Sequence, residues 1–178
     1  MKRLSILVLW IALLTGCDKA GYPISIPESQ INAAMAKSFP VTQTFLKLID
    51  LTYSDPKITL RPGSDRVQLD LNAKLNIKLL PGARDLKGTC TVESGVRYQA
   101  GTRQFFLADP VIKKLAIDGL PPDYVDRVTM IALELTRSRL EAFPIYTVES
   151  SHPAVTAAAV LVKDVRVSNG AIQVILGL

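Results

Sequence analysis

Two cysteines, one histidine and a scatter of carboxylates are the residues of this chain with chemistry to offer. His152 is the single histidine, so a metal site of several imidazoles cannot form, and Cys90 cannot supply a zinc cluster alone. A serine–histidine–carboxylate arrangement would have to use His152, which precedes Pro153 in an expected loop. The chain has no Gly-x-Ser-x-Gly elbow and no glycine-rich phosphate cradle. Asp70, Asp109, Asp118 and Asp123 are carboxylates without a recognisable pairing. No catalytic residue is assigned on this basis, and no metal is expected. The residue that stands out is Cys17, because of what precedes it. Lys2 and Arg3 come first, then an apolar run from Leu4 to Leu14 broken only by Ser5, then Thr15 and Gly16.

That apolar run is far shorter than the roughly 20 residues needed to cross a hydrocarbon core, so it reads as the core of an export signal. Small residues ahead of the cysteine let an extended chain enter a peptidase groove. Leu14-Thr15-Gly16-Cys17 resembles the lipobox of bacterial lipoproteins. The resemblance implies cleavage between Gly16 and Cys17, a diacylglyceryl group on the Cys17 sulfur and an acyl group on its new amino terminus. Two or three acyl chains exceed what stable anchoring needs, since each buried methylene contributes about 0.8 kcal/mol. The expected location is periplasm-facing on a membrane, with these covalent lipids and no other cofactor. Asp18 resembles the inner-membrane retention signal of enteric lipoproteins, although Lys19 is not its usual companion. Residues 1–16 are then the cleaved signal, 17–24 a short tether and 25–178 a single domain.

About 160 residues remain after cleavage, enough for one ordinary domain with its own core. The formal net charge of +5 shrinks once Lys2 and Arg3 leave, and the remaining charges are interspersed. A nucleic-acid partner is not expected, since no basic run marks a binding patch. With Cys17 committed to lipid, Cys90 has no intramolecular partner and no structural disulfide is expected. Cys90 falls on the apolar face of a predicted strand, where a free cysteine behaves as a small hydrophobe; a reactive thiol is the alternative.

The elements that would position any site are read from periodicity. From Arg66 to Leu79 every odd position is apolar and every even one polar, which predicts a long strand with one wet and one buried face. Leu86–Tyr98 alternates in the same way, with Pro81-Gly82 as the turn before it and Ala100-Gly101 after it. Ile58–Leu60 is expected to pair on the far side of the first strand. Gln104–Leu107 and Lys114–Asp118 are further strand candidates, broken by Asp109-Pro110. A short helix is expected over Pro27–Lys37, ended by Pro40, and a second short helix or an irregular connection over Val41–Tyr53. A long helix is expected from Pro122 to Ala142, stopped by Pro144. Val125, Val128, Ala132 and Leu135 line one of its faces, while Met130, Ile131 and Leu133 carry apolar surface round the cylinder. A helix apolar over more than one stripe is expected to be enclosed by its surroundings. Ala154–Leu161 reads as a short helix, and Val162–Val167 with Ala171–Leu176 as a hairpin around Asn169-Gly170.

Tyr22, Ile24, Ser25, Ile31, Asn32 and Ala36-Lys37 make the start of the mature chain resemble the YceB-like family of bacterial lipoproteins. The likeness runs on through the long alternating strand, the helix before Pro144, Ile145-Tyr146-Thr147-Val148 and the terminal hairpin. Pro27 is an insertion in the opening motif, so the motif does not set the register of the first helix. The resemblance implies a fold similar to one half of the tubular lipid-binding (TULIP) superfamily. The expected fold is therefore α+β: a long curved antiparallel sheet wrapped around a long helix, with a short N-terminal helix and a C-terminal hairpin.

On that fold Val67, Leu69, Leu71, Leu75, Ile77 and Leu79 of the strand, with Val128, Ile131 and Leu135 of the helix, are either ordinary core or the lining of an apolar groove. A strand of about fourteen residues rises roughly 45 Å and a helix of about twenty-one only some 32 Å, which permits a slot at one end. Three functions stay open: a non-catalytic binding module for a lipid or fatty-acid-like ligand, a scaffold holding another envelope protein, and a carboxylate-based enzyme. The anchor is the sharpest expectation. Replacing Cys17 with Ser is expected to abolish incorporation of labelled fatty acid and to move the chain out of the membrane fraction. Unchanged labelling would remove the lipidation reading.

Overall fold

The computed structural model describes residues 23–78, 85–120, 122–148 and 162–176. The elements run β1 (Pro23–Pro27), α1 (Glu28–Ala36), β2 (Val41–Phe45), β3 (Ile49–Leu60), β4 (Val67–Ile77) and β5 (Leu86–Gln99). They continue with β6 (Gln104–Ile117), α2 (Pro122–Ala142), β7 (Pro144–Thr147), β8 (Val162–Ser168) and β9 (Ala171–Leu176). Strands β2 to β7 lie side by side in sequence order as one antiparallel six-stranded sheet. β1, β9 and β8 form a separate antiparallel three-stranded sheet. The fold is α+β, mostly antiparallel, with the large sheet curled into a half-barrel.

The period-two stretch becomes β4. Val67, Leu69, Leu71, Ala73, Leu75 and Ile77 are buried, and the residues between them are exposed or half-buried. Two Asp-Pro steps account for the curl. At Asp55-Pro56 in β3 and Asp109-Pro110 in β6 the aspartate takes a left-handed φ, 50° and 49°, and strand pairing shifts register beside each. A bulge bends a strand and increases its twist, and it admits a proline that has no N–H for the ladder. The expected break at Asp109-Pro110 is thus a bulge within one strand. Ser94 Oγ donates to Ala108 O (2.7 Å) and Arg66 Nη2 to Asp109 O (3.1 Å), which keeps the segment bonded to its neighbours.

Val41–Tyr53 is the β2–β3 hairpin and neither a helix nor an irregular connection. The apolar spacing there suits a helix as well, but Thr42, Thr44 and Thr52 favour a pleated strand. Hydrogen bonds between Thr42 and Thr52 (2.8 Å) and from Thr44 to Asp50 (2.7 Å) cross the pair. Three residues, Leu46–Leu48, connect the strands, and their turn is unusual. Leu46 and Lys47 both have positive φ, 48° and 60°, with the Leu48 N–H donating to Phe45 O at 2.9 Å. That turn is the one Asn-Gly adopts readily, and each larger residue in it costs roughly 1–2 kcal/mol. The β8–β9 turn has the expected chemistry, with Asn169 at φ 53° and Gly170 at φ 70°. The short helix expected over Ala154–Leu161 lies outside the described residues.

β2 pairs with β3 only as far as Tyr53, which leaves the edge of β3 bare from there to Leu60. Helix α1 closes it with side chains. Asn32 Nδ2 donates to Ile58 O (3.0 Å) while Asn32 Oδ1 accepts from Ile58 N (2.7 Å), and Glu28 Oε2 accepts from Leu60 N (2.8 Å). Ile31 and Met35 of the same helix enter the core. One helix therefore supplies both the ladder bonds and the apolar cover that a further strand would have given.

Helix α2 has the expected bounds but a different setting. Its buried residues are Val128, Ala132, Thr136 and Leu140, one stripe at four-residue spacing. Tyr124, Val125 and Met130 are exposed, Met130 by 64%. The helix is laid on a surface through that stripe and is not enclosed all round.

Removing the Asn32 amide leaves a donor and an acceptor of Ile58 unpaired in a partly buried place. Asn32→Ala is expected to cost about 1–3 kcal/mol, a fall in Tm of roughly 3–10 °C for a chain of this size. Asn32→Asp sets a carboxylate against Ile58 O and is expected not to rescue. Thermal unfolding followed by circular dichroism checks both, and an unchanged Tm for Asn32→Ala would show that the edge needs no clamp.

Candidate functional site

The buried stripe of α2 faces the apolar face of the large sheet, and its one polar member makes a specific bond. Thr136 Oγ1 donates to Ala132 O one turn earlier (2.5 Å), so the buried Tyr53 hydroxyl donates to Thr136 Oγ1. Burial is the main cause that pushes the Tyr53 phenol well above its usual titration range. The pair fixes the helix against β3 and keeps both hydroxyls satisfied, as burial requires.

Two spaces flank this contact. A void of about 10 Å³, room for one water, sits at the C-terminal end of α2 among Phe39, Val41, Tyr53, Leu71, Leu140 and Phe143. Phe39 and Phe143 meet edge-on with centroids 5.4 Å apart, and the Arg139 guanidinium lies over Phe143. On the outer side, α2 and the bulged part of β6 bound an open groove of about 440 Å³. Val111, Ile112, Met130 and Leu133 give it apolar walls, and Asp109, Glu134 and Arg137 a polar rim. Arg137 is held by Glu141 one turn on, at 3.2 Å.

The sequence-selected residues divide between these places. Val67, Leu69, Leu71, Leu75 and Ile77 are buried in β4, Val128 is buried on α2, and Ile131 and Leu135 are half-buried there. Leu79, Gly16, Cys17, Asp18 and His152 lie outside the described residues. Asp70 is engaged on the outer face of the sheet, accepting from Thr91 (2.8 Å) and Gln68 (2.8 Å). Asp109 reaches the groove, but Asp118 and Asp123 do not line it. Tyr53 and Thr136 were not legible as a pair. The alternation Leu51–Tyr53 against Thr52–Ser54 and the four-residue step from Ala132 to Thr136 are the signals that place them on facing stripes.

Residues 26–171 match the family described as "Protein of unknown function (DUF1439)". The chain belongs to this family. Its match runs from β1 to the first residue of β9, so it takes in α1 with its clamp on β3, the curled sheet, α2 and the groove. No curated protein matches the chain. Among the described residues no group of histidine, cysteine, aspartate or glutamate could hold a metal ion, and no helix is long and apolar enough to cross a membrane.

Cys90 lies on the buried face of β5, and burial followed by the nearby Asp70 charge pushes its thiol up to about 11. An unfolded thiol titrates near 8.5, so the folded chain holds this proton longer. The stability it reflects is full below about pH 8.5 and is lost as pH rises through about 11. In a Cys17→Ser background, alkylation of Cys90 at pH 8 is expected to be slow until denaturant is added. Equal rates with and without denaturant would contradict its burial.

Proposed function

We propose that this protein is a lipid-anchored, periplasm-facing binding module without catalytic activity, taking a lipid or another hydrophobic ligand against α2. The observation that carries this reading is the 440 Å³ groove between α2 and β6. Small-molecule sites have volumes in this range, with apolar walls and a few polar groups that orient the ligand. Val111, Ile112, Met130 and Leu133 suit an acyl chain, and the Asp109, Glu134 and Arg137 rim suits its polar end.

Leu14-Thr15-Gly16-Cys17 supports the anchor, with diacylglyceryl and N-acyl groups on Cys17 and Asp18 as a sorting signal favouring the inner membrane. The likeness to YceB-like lipoproteins supports the same ligand class. In a half-TULIP arrangement, with the sheet wrapping α2, chain-binding space would open between helix and sheet. The small void beside Tyr53 and Phe143 is where such a space would begin. A second reading, an envelope scaffold, is favoured by the exposed Tyr124, Val125 and Met130 on one helix, because exposed apolar patches mark partner surfaces.

The ligand reading is tested on the purified Cys17→Ser chain by native mass spectrometry and organic extraction. Copurifying lipid is expected, and Met130→Glu is expected to reduce its recovery several-fold while leaving the fold intact. If no lipid is recovered and added phospholipid or fatty acid does not bind, the ligand reading falls. A protein partner lost on the same substitution would then favour the scaffold.

A further inference from the structure

The tip of the β2–β3 hairpin combines two features that each work against the fold. Leu46 is 71% exposed, the most exposed of the large apolar side chains among the described residues, with exposed Leu48 beside it. Leu46 and Lys47 also hold the left-handed conformations of a turn that smaller residues adopt without strain. Backbone strain kept at an exposed apolar tip points to something outside that receives the side chains.

We propose that this tip is a bilayer contact: Leu46 and Leu48 enter the acyl boundary while Lys47 stays with anionic headgroups. The charge fits that occupant. Lys47 stands exposed between the two leucines, and a lysine stem can lie along apolar surface while its ammonium stays in the polar layer. Lys78 adjoins the tip, its N–H donating to Leu48 O at 2.9 Å, although its ammonium is paired with Asp50 at 3.0 Å. The geometry fits as well. β3 runs from the tip to Leu60, roughly 35 Å at 3.3 Å per residue, and at that far end Glu28 joins β1 to β3. The N-terminal segment enters through β1, so chain entry and tip lie towards opposite ends of β3. Contact at both would lay the hairpin along the membrane and fix which way the α2 groove faces. This inference goes beyond the ligand reading and does not depend on it.

The test places one reporter at the tip and one at the far end of the sheet. Trp10 is the single tryptophan of the chain, so the parent protein supplies the background. Leu46→Trp and Gly101→Trp, the latter at a turn with open space around it, are made separately in the full chain. Each is reconstituted in vesicles of zwitterionic or part-anionic phospholipid carrying brominated acyl chains. Quenching of Leu46→Trp by the brominated lipid, clearly stronger than that of Gly101→Trp, is expected; equal quenching at both sites overturns a contact made by the tip. The quenching should be stronger in anionic vesicles and weakened by adding Lys47→Glu. Equal absence of quenching at both sites overturns the proposal, as does shielding of Leu46→Trp from water without lipid quenching, which would indicate a protein contact. The strain is tested separately with Leu46→Asn and Lys47→Gly combined. A higher Tm is expected, and a lower one overturns the premise that this turn is kept against the preference of the fold.

Discussion

The apolar face of β4 is the constraint on which the rest of the structure depends. Six alternate side chains from Val67 to Ile77 leave water together, and no single-residue slip is tolerated because it would turn all of them outward. A sheet with such a face must be covered, and its neighbours supply matching rows: Leu51, Tyr53 and Ile58 from β3, Cys90 and Val92 from β5. The Asp-Pro bulges then curl the sheet so that the two helices and the small sheet can cover it. Glycine serves the same end at one point, since a Cβ at Gly88 would lie 2.2 Å from Ala116 O of β6.

Cover is achieved by two helices in different ways. α1 joins the sheet almost as a strand, its Asn32 pairing both backbone groups of Ile58. α2 touches through one narrow stripe, with the Tyr53–Thr136 bond as its buried polar contact to β3. A helix held that way leaves much of its own apolar surface free, and the groove against β6 is made from that remainder. The site is therefore a consequence of how little of α2 the sheet uses.

Features set by local periodicity were legible in the sequence. β4, β5, the β8–β9 hairpin and the bounds of α2 follow from alternation, from Asn169-Gly170 and from Pro122 and Pro144. Features set by distant partners were not. Asn32 clamps a strand 26 residues away and Tyr53 meets a helix 83 residues away, and no local pattern encodes either. The β2–β3 hairpin is not legible because Phe45, Leu48, Ile49 and Leu51 fit a helix equally well, and its turn uses Leu46-Lys47 where Asn-Gly would announce a hairpin. The wide apolar girth of α2 suggests enclosure, yet Met130 and Val125 are exposed, and Met130 borders the groove. Of the sequence-selected residues, those on β4 and Val128 lie in the core, and the groove is lined instead by Val111, Ile112, Met130 and Leu133.

The proposed attachment through Cys17, the apolar groove on α2 and the proposed bilayer contact of the hairpin tip would together make a module held at a bilayer that accepts a hydrophobic molecule on its helix face. The groove is its centre. Photolabelling the purified chain with a photoactivatable fatty acid, then mapping the modified residues by mass spectrometry, tests it most directly. Label concentrated on Met130, Leu133 and Val111, and competed by unlabelled fatty acid, is the expected result. Label absent, or spread over exposed residues and not competed, would contradict a ligand site between α2 and β6.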